Sequence, residues 1–352
     1  MSKAFDFIRE YRRWIGAILM CIAIAVFIPS FSSYRRMQRV LQAVGAQGAF
    51  AVAEFRGPDW LSETLDHIPP VKRLLQTRVR YIGYVEQRIG QCQPIDLSYL
   101  HDATTVEVLD LRFAPEIDDA DLEFVGALSG LKHLDIRGPK VTNAGIRHLE
   151  SQRQLESLYL TETLADDDCL SVLQGMPELE ILFLDKIAAF TGTGLRFLPK
   201  ASRLTRLDVC DTEFEQGLEQ IDVSALERLI ANRTPIGDAG IAPLHDACEL
   251  QFLWLNDTQV TDNGLMYVVR LPKLNALMLR GTRVTDSGIR RLTGMNQLRL
   301  LGLNRTAVSR GECERLIQQL PRLSIAYGPD DEHPEWFHGA RAKDSEDGPD
   351  SE

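Results

Sequence analysis

Ten segments of this chain open with the same apolar pattern, and their starts, at residues 106, 131, 155, 179, 204, 226, 250, 274, 298 and 320, lie 22–25 residues apart. Each carries L-x-x-L-x-L or a close variant, as in LQFLWL from Leu250 and LNALML from Leu274. That alternation has the period of two that belongs to a short strand, so the second and third apolar residues point inward together. A polar bend follows, with Thr at the ninth place in six units: Thr163, Thr212, Thr234, Thr258, Thr282 and Thr306. A hydroxyl there can bond the backbone of a tight turn. V-T-D-x-G-[LI] then opens a helical return, with Asp262 and Asp286 placed as N-caps. Leu265 with Val268, and Ile289 with Leu292, have the i, i+3 spacing of a face turned to the sheet. One unit cannot bury its apolar face alone, whereas stacked units share a core. The expected fold over 106–327 is therefore α/β, a curved solenoid with a parallel sheet inside and helices outside.

The run L-x-x-L-x-L-x-x-T-x-V-T-D-x-G-[LI] resembles the leucine-rich repeats of the ribonuclease-inhibitor-like and F-box-associated type. The resemblance covers about two thirds of the chain and is specific because it recurs. Pro139 in place of Thr, LADDDC in place of V-T-D-x-G-L and Glu312 in place of Gly are departures that touch local helix geometry. RRMQRVLQAVGAQGAF and GPDWLSETL also resemble a group of membrane-anchored planctomycete repeat proteins.

The flanks read differently. After a basic tail over 1–13, residues 14–34 (WIGAILMCIAIAVFIPSFSSY) carry no charge, with Arg9, Arg12 and Arg13 before them and Arg35, Arg36 and Arg39 after. About 20 apolar residues span a bilayer as a helix, and Trp14 and Tyr34 stand at the interfacial positions. The expectation is a single transmembrane signal-anchor; a cleaved signal peptide, ending near Ser30 or Ser32, is the alternative. The Lys and Arg residues place the N-terminus weakly in the cytoplasm and the repeats outside it. Residues 35–105 lack the repeat. MQRVLQAVG, DWLSETLDHI and VKRLLQTRVRYIGYV have helical spacing between Gly57-Pro58 and Pro69-Pro70, so this part is expected to be a linker and a helical cap on the first repeat. Residues 328–352 are rich in Asp, Glu, Gly, Pro and Ser and are expected to be a disordered acidic tail, in which Trp336 and Phe337 stand out.

With the leucines inward, the third, fifth and seventh places project from the sheet. Tyr159, Ile181 and Phe183 are then neighbours in two units, and Ile230, Phe252, Trp254 and Met278 form a second apolar cluster across three. Arg206, Arg228 and Arg280 lie between and beside them, with Asp208 among them. Large apolar residues that packing does not require, together with Trp and Arg, mark a recognition surface for a protein or peptide. The chemistry search returns little: no HExxH, G-x-S-x-G or phosphate loop occurs, so neither catalysis nor a cofactor is expected. Asp166-Asp167-Asp168 lacks the Gly and distal Glu of a calcium loop and suits a helix N-terminus, so no metal site is assigned. The six cysteines are scattered singly and read as buried free thiols. Asn232, Asn256 and Asn304 begin N-x-T triplets that follow from the repeat register. A net charge of -11 argues against non-specific nucleic-acid binding. The expectation is thus a membrane-anchored, non-catalytic binding module. A self-associating envelope scaffold and an F-box-like substrate-recruiting subunit are the alternatives.

Overall fold

The computed structural model describes residues 35–47, 49–55, 76–84, 96–199, 202–329 and 335–340. The apolar run 14–34 and the segment DWLSETLDHI lie outside them. Among the described residues no helix is long and apolar enough to cross a membrane.

The strands join into one thirteen-stranded sheet in chain order. The repeat strands are β3 (Val108–Leu111), β4 (His133–Arg137), β5 (Ser157–Thr161), β6 (Ile181–Phe183), β7 (Arg206–Asp208), β8 (Arg228–Ile230), β9 (Phe252–Trp254), β10 (Ala276–Met278), β11 (Leu300–Gly302) and β12 (Ser324–Tyr327). All ten run parallel, and like places pair with like: His133 with Ser157, Tyr159 with Phe183, Ile230 with Trp254. The fourth- and sixth-place leucines point to the other side and are fully buried, as are Leu253, Leu255, Leu277 and Leu279. They form one continuous core with the apolar residues of the return segments, such as Val260, Leu265, Val268, Ile289 and Leu292.

A circuit of about two dozen residues leaves room for three-residue strands and single helical turns, such as Asp238–Ile241, Leu265–Val268 and Asp286–Ile289. The bend after each strand is made the same way in unit after unit. Its eighth residue takes a left-handed conformation: Glu162, Lys186, Asp211, Arg233, Asp257 and Arg305 have φ of 55–57°. That conformation costs an L-residue about 1 kcal/mol. The ninth-place threonines offset it, because the hydroxyls of Thr212, Thr234, Thr258, Thr282 and Thr306 donate to the sixth-place carbonyls at 2.6–2.8 Å. Thr163 Oγ1 has no such partner.

The V-T-D-x-G motif proves to be an inter-unit clasp. Asp262 and Asp286, placed above as N-caps, do not cap their own helices; Thr285 caps Asp286–Ile289 through its side chain. Instead, Asp262 accepts from the backbone N–H of Thr285 at 2.8 Å and from its hydroxyl at 2.6 Å, one unit on. Asp119 holds Thr142 in this way, Asp238 holds Thr261, and Asp286 holds Ser309. The motif's glycine is the other half of the contact, since a Cβ on Gly288 would sit 2.2 Å from Asp262 Oδ1. In LADDDC the middle acid keeps this role: Asp167 accepts from Thr191 N and Oγ1, Gly192 N and Gly194 N, while Asp166 caps the following 3-10 turn. Where Gly becomes Glu312, the return lengthens to a ten-residue helix, Arg310–Gln319, and the carboxylate turns to Arg290 and Arg315.

Both ends depart from the expectation. A helix over 35–46 matches the MQRVLQAVG reading, but most of VKRLLQTRVRYIGYV is a strand, β2 (Gln76–Tyr84). It pairs antiparallel with β1 (Ala49–Phe55) and parallel with β3, so the first repeat is covered by sheet as well as helix. Its β-branched and aromatic residues, the inward Val79, Ile82 and Tyr84 and the outward Tyr81, are satisfied by an open sheet edge, which tertiary pairing supplies. At the other end β13 (Glu335–His338), inside the stretch expected to be disordered, pairs antiparallel with β12. Phe337 packs against the core there, and Trp336 stays half exposed. The last parallel strand would otherwise leave a row of unpaired amides.

Candidate binding surface

The fifth places align across the inner face of the sheet as Asp110, Asp135, Tyr159, Phe183, Asp208, Ile230, Trp254, Met278 and Gly302. Tyr159 and Phe183 stack with ring centroids 4.6 Å apart. Ile181 stands beside them on β6 and is half-buried. The second expected cluster is also contiguous: Phe252, Trp254 and Met278 are half-buried on adjacent strands. Met278 leans over Gly302, where a Cβ would meet its sulfur at 2.7 Å. Ile230 is only 7% exposed and forms the floor between Asp208 and Trp254 rather than open surface. Trp254 Nε1 is buried with no acceptor among the described residues.

The arginines divide into two kinds. Arg280 is tied at the rim to Asp257, as Arg233 is to Asp211 and Arg137 to Glu162. Arg206 and Arg228 are register partners on β7 and β8; Arg206 is exposed, and the Arg228 guanidinium lies 4.8 Å from the centre of the Phe252 ring.

An acidic pair separates the two apolar clusters. Asp185 stands at the seventh place, where Asn232 and Asn256 each accept the backbone N–H of the next unit's seventh residue at 2.9 Å. At Asp185 a carboxyl group takes that place, and the Cys210 backbone N–H goes to Asp208 instead. Burial first, then the hydrogen bond and charge of Asp208, push its carboxyl up to about 8. The Cys210 backbone N–H donates to Asp208 Oδ1 at 3.1 Å. Burial also raises the Cys210 thiol, and the ligand atoms of Asp185, Asp208 and Cys210 lie within 4.8 Å of one another. These three have the donor set and spacing to hold a cation.

A polar corner at the N-terminal end of the face was missed from sequence. A cavity of about 300 Å³ is lined there by Tyr81, Asp110, Arg112, His133, Asp135 and Tyr159. Arg112 bridges Asp110 at 2.7 Å and Asp135 at 3.2 Å, and Tyr81 donates to Asp110 at 3.1 Å. Burial, and secondly the charge of Asp110, push Asp135 up to about 7, against the pull of Arg112. Asp110, Arg112 and Asp135 were legible as outward places; Tyr81 was hidden in a segment read as helix.

Other expectations resolve locally. Cys169 and Cys313 are buried, and burial raises both thiols to about 12, whereas Cys248 is exposed and Cys210 half-buried. Cys21 and Cys92 lie outside the described residues. The N-x-T triplets are ladder elements: Asn232 and Asn304 are buried, and the threonines of all three close their own bends.

No family profile and no characterised protein sequence matches the chain. Solved structures do. A mouse RP105/MD-1 complex contains a chain similar over 67% of this one and 40% of its own length, at 16% identity and a TM-score of 0.51. An internalin C2 from Listeria monocytogenes is similar over 60% of this chain and 84% of its own, at 21% identity and a TM-score of 0.44. A chain of the yeast Rad7 and Elc1 complex matches over 90% and 97%, at 15% identity and a TM-score of 0.48. The parallel ladder, the left-handed bends and the inter-unit clasp, with the mouse structure beside them, define a leucine-rich-repeat solenoid.

Proposed function

We propose that this chain is a membrane-tethered binding protein that takes a protein or peptide along the inner wall of its solenoid and carries out no chemistry of its own. The observation that carries the reading is the fifth-place row. Tyr159, Phe183, Trp254 and Met278 present apolar side chains on the solvent side of a sheet whose core is complete without them. Retaining them there costs solubility, and burial against a partner recovers it at about 25 cal/mol per Å² of apolar area. The tether is residues 14–34, with the repeats outside the cytoplasm, on the apolar length and flanking arginines. Phe252→Ala with Trp254→Ala tests the binding reading. The double variant is expected to unfold with the wild-type cooperativity yet lose capture of the partner from solubilised native membranes. Unchanged capture would move the site elsewhere, and failure to fold would make the pair core. Protease accessibility of residues 341–352 in intact cells tests the sidedness.

Self-association is the second reading, favoured by β1. Its outer edge has no partner strand among the described residues, and Phe50 and Val52 are 44% and 47% exposed on it. That reading predicts concentration-dependent oligomers without a foreign ligand.

A further inference from the structure

Arg206 and Arg228 are the unusual charges of this face. They are direct register partners on neighbouring strands, so their Cα atoms lie about 4.8 Å apart with side chains on the same side. Like charges placed directly opposite are unfavourable in a sheet. Elsewhere on the wall and rim a carboxylate answers each arginine: Asp110 and Asp135 for Arg112, Glu162 for Arg137, Asp211 for Arg233, Asp257 for Arg280. Among the described residues none lies within ion-pair distance of Arg206 or Arg228. Asp208, two residues from Arg206 on the same strand, does not serve. It is 7% exposed, and its carboxylate accepts the Cys210 backbone N–H.

The surroundings suit a ligand rather than bare solvent. The Arg228 guanidinium lies over the Phe252 ring, and Arg206 is exposed beside it. A guanidinium held against an aromatic ring keeps its N–H edge free, and apolar neighbours strengthen a charge-assisted bond by displacing water. We propose that Arg206 and Arg228 are the seat for an acidic side chain of the partner, a Glu or Asp flanked by apolar residues that occupy the Tyr159–Phe183 and Phe252–Trp254 clusters on either side. A polyanion is the wrong occupant. Asp110, Asp135, Asp185 and Asp208 share the wall, and the chain as a whole carries -11, so the seat suits one or two acidic groups.

This deepens the concave-face reading and rests on it. The test is selection from a random peptide library displayed on phage against the full chain in detergent. Three baits are used: wild type, Arg206→Glu with Arg228→Glu, and Phe252→Ala with Trp254→Ala. Arg206→Gln with Arg228→Gln stands in should the charge reversal fail to fold. Wild type is expected to enrich peptides pairing Glu or Asp with aromatic or aliphatic residues. Those peptides should bind the reversed or neutralised variant at least about tenfold more weakly and lose affinity with added salt. Selected peptides that need Phe252 and Trp254 but show no acidic preference, and bind the arginine variants unchanged, would overturn the acidic seat while leaving the binding surface standing. Peptides indifferent to both variants would overturn both.

Discussion

Asp185→Asn should make this protein progressively more stable than wild type as the pH rises from about 4 to about 8, and leave it unchanged below about pH 4. Burial and Asp208 raise the folded pKa of Asp185 from 3.8 to about 8. The folded chain therefore keeps a proton through a window in which the unfolded chain has lost it. Stability falls as the pH climbs from about 4 to about 8 and levels off above, since the unfolded state binds fewer protons there. A single retained proton gives a slope of at most about 1.4 kcal/mol per pH unit. Asp185 is only half-buried, and solvent screening reduces this to a total of about 2 kcal/mol across the window. Asparagine is what the equivalent places, Asn232 and Asn256, already carry. Its amide supplies a permanent donor to Asp208, while the Cys210 N–H keeps its own acceptor on Asp208. Urea unfolding of wild type and variant at pH 5, 6.5 and 8 measures the difference directly. Asp135, raised to about 7, contributes the same sign in both proteins and cancels. Parallel pH profiles for the two proteins would refute the raised pKa of Asp185.

Asp262→Ala removes the acceptor for Thr285 N and Oγ1 and should cost about 2–3 kcal/mol, with faster hydrogen exchange confined to the adjoining units. Asp262→Asn should cost about half as much, because an amide keeps one acceptor; Asn143 fills this place natively by pairing with Asp166. A loss below about 0.5 kcal/mol for the alanine variant would leave the clasp without energetic weight. Phe337→Ala should open β13 and expose the edge of β12, read as amide exchange rising at Ile325 and Tyr327, while β3 to β10 keep their protection.

The repeat made the solenoid legible because each unit states the same local rule, and stacking leaves one way to bury the leucines. The Thr ladder was legible for the same reason. The role of Asp262 was not, since a carboxylate beside a helix start is chemically equal to an N-cap until the neighbouring unit is placed against it. β2 and β13 were hidden because their stability comes from edges that only the finished sheet presents. The columns Tyr159–Phe183 and Phe252–Trp254 followed from register alone, whereas the approach of Asp185 to Asp208 and the pairing of each rim arginine with a carboxylate depend on side-chain directions. Sequence spacing does not encode those.

Oxidative footprinting of the purified full chain and of its complex isolated from native membranes tests the account where it is most exposed. Tyr159, Phe183, Phe252 and Trp254 should all be modified in the free chain and protected together in the complex. Protection of these side chains in the free chain, or equal modification in both, would contradict a binding wall on the inside of the solenoid.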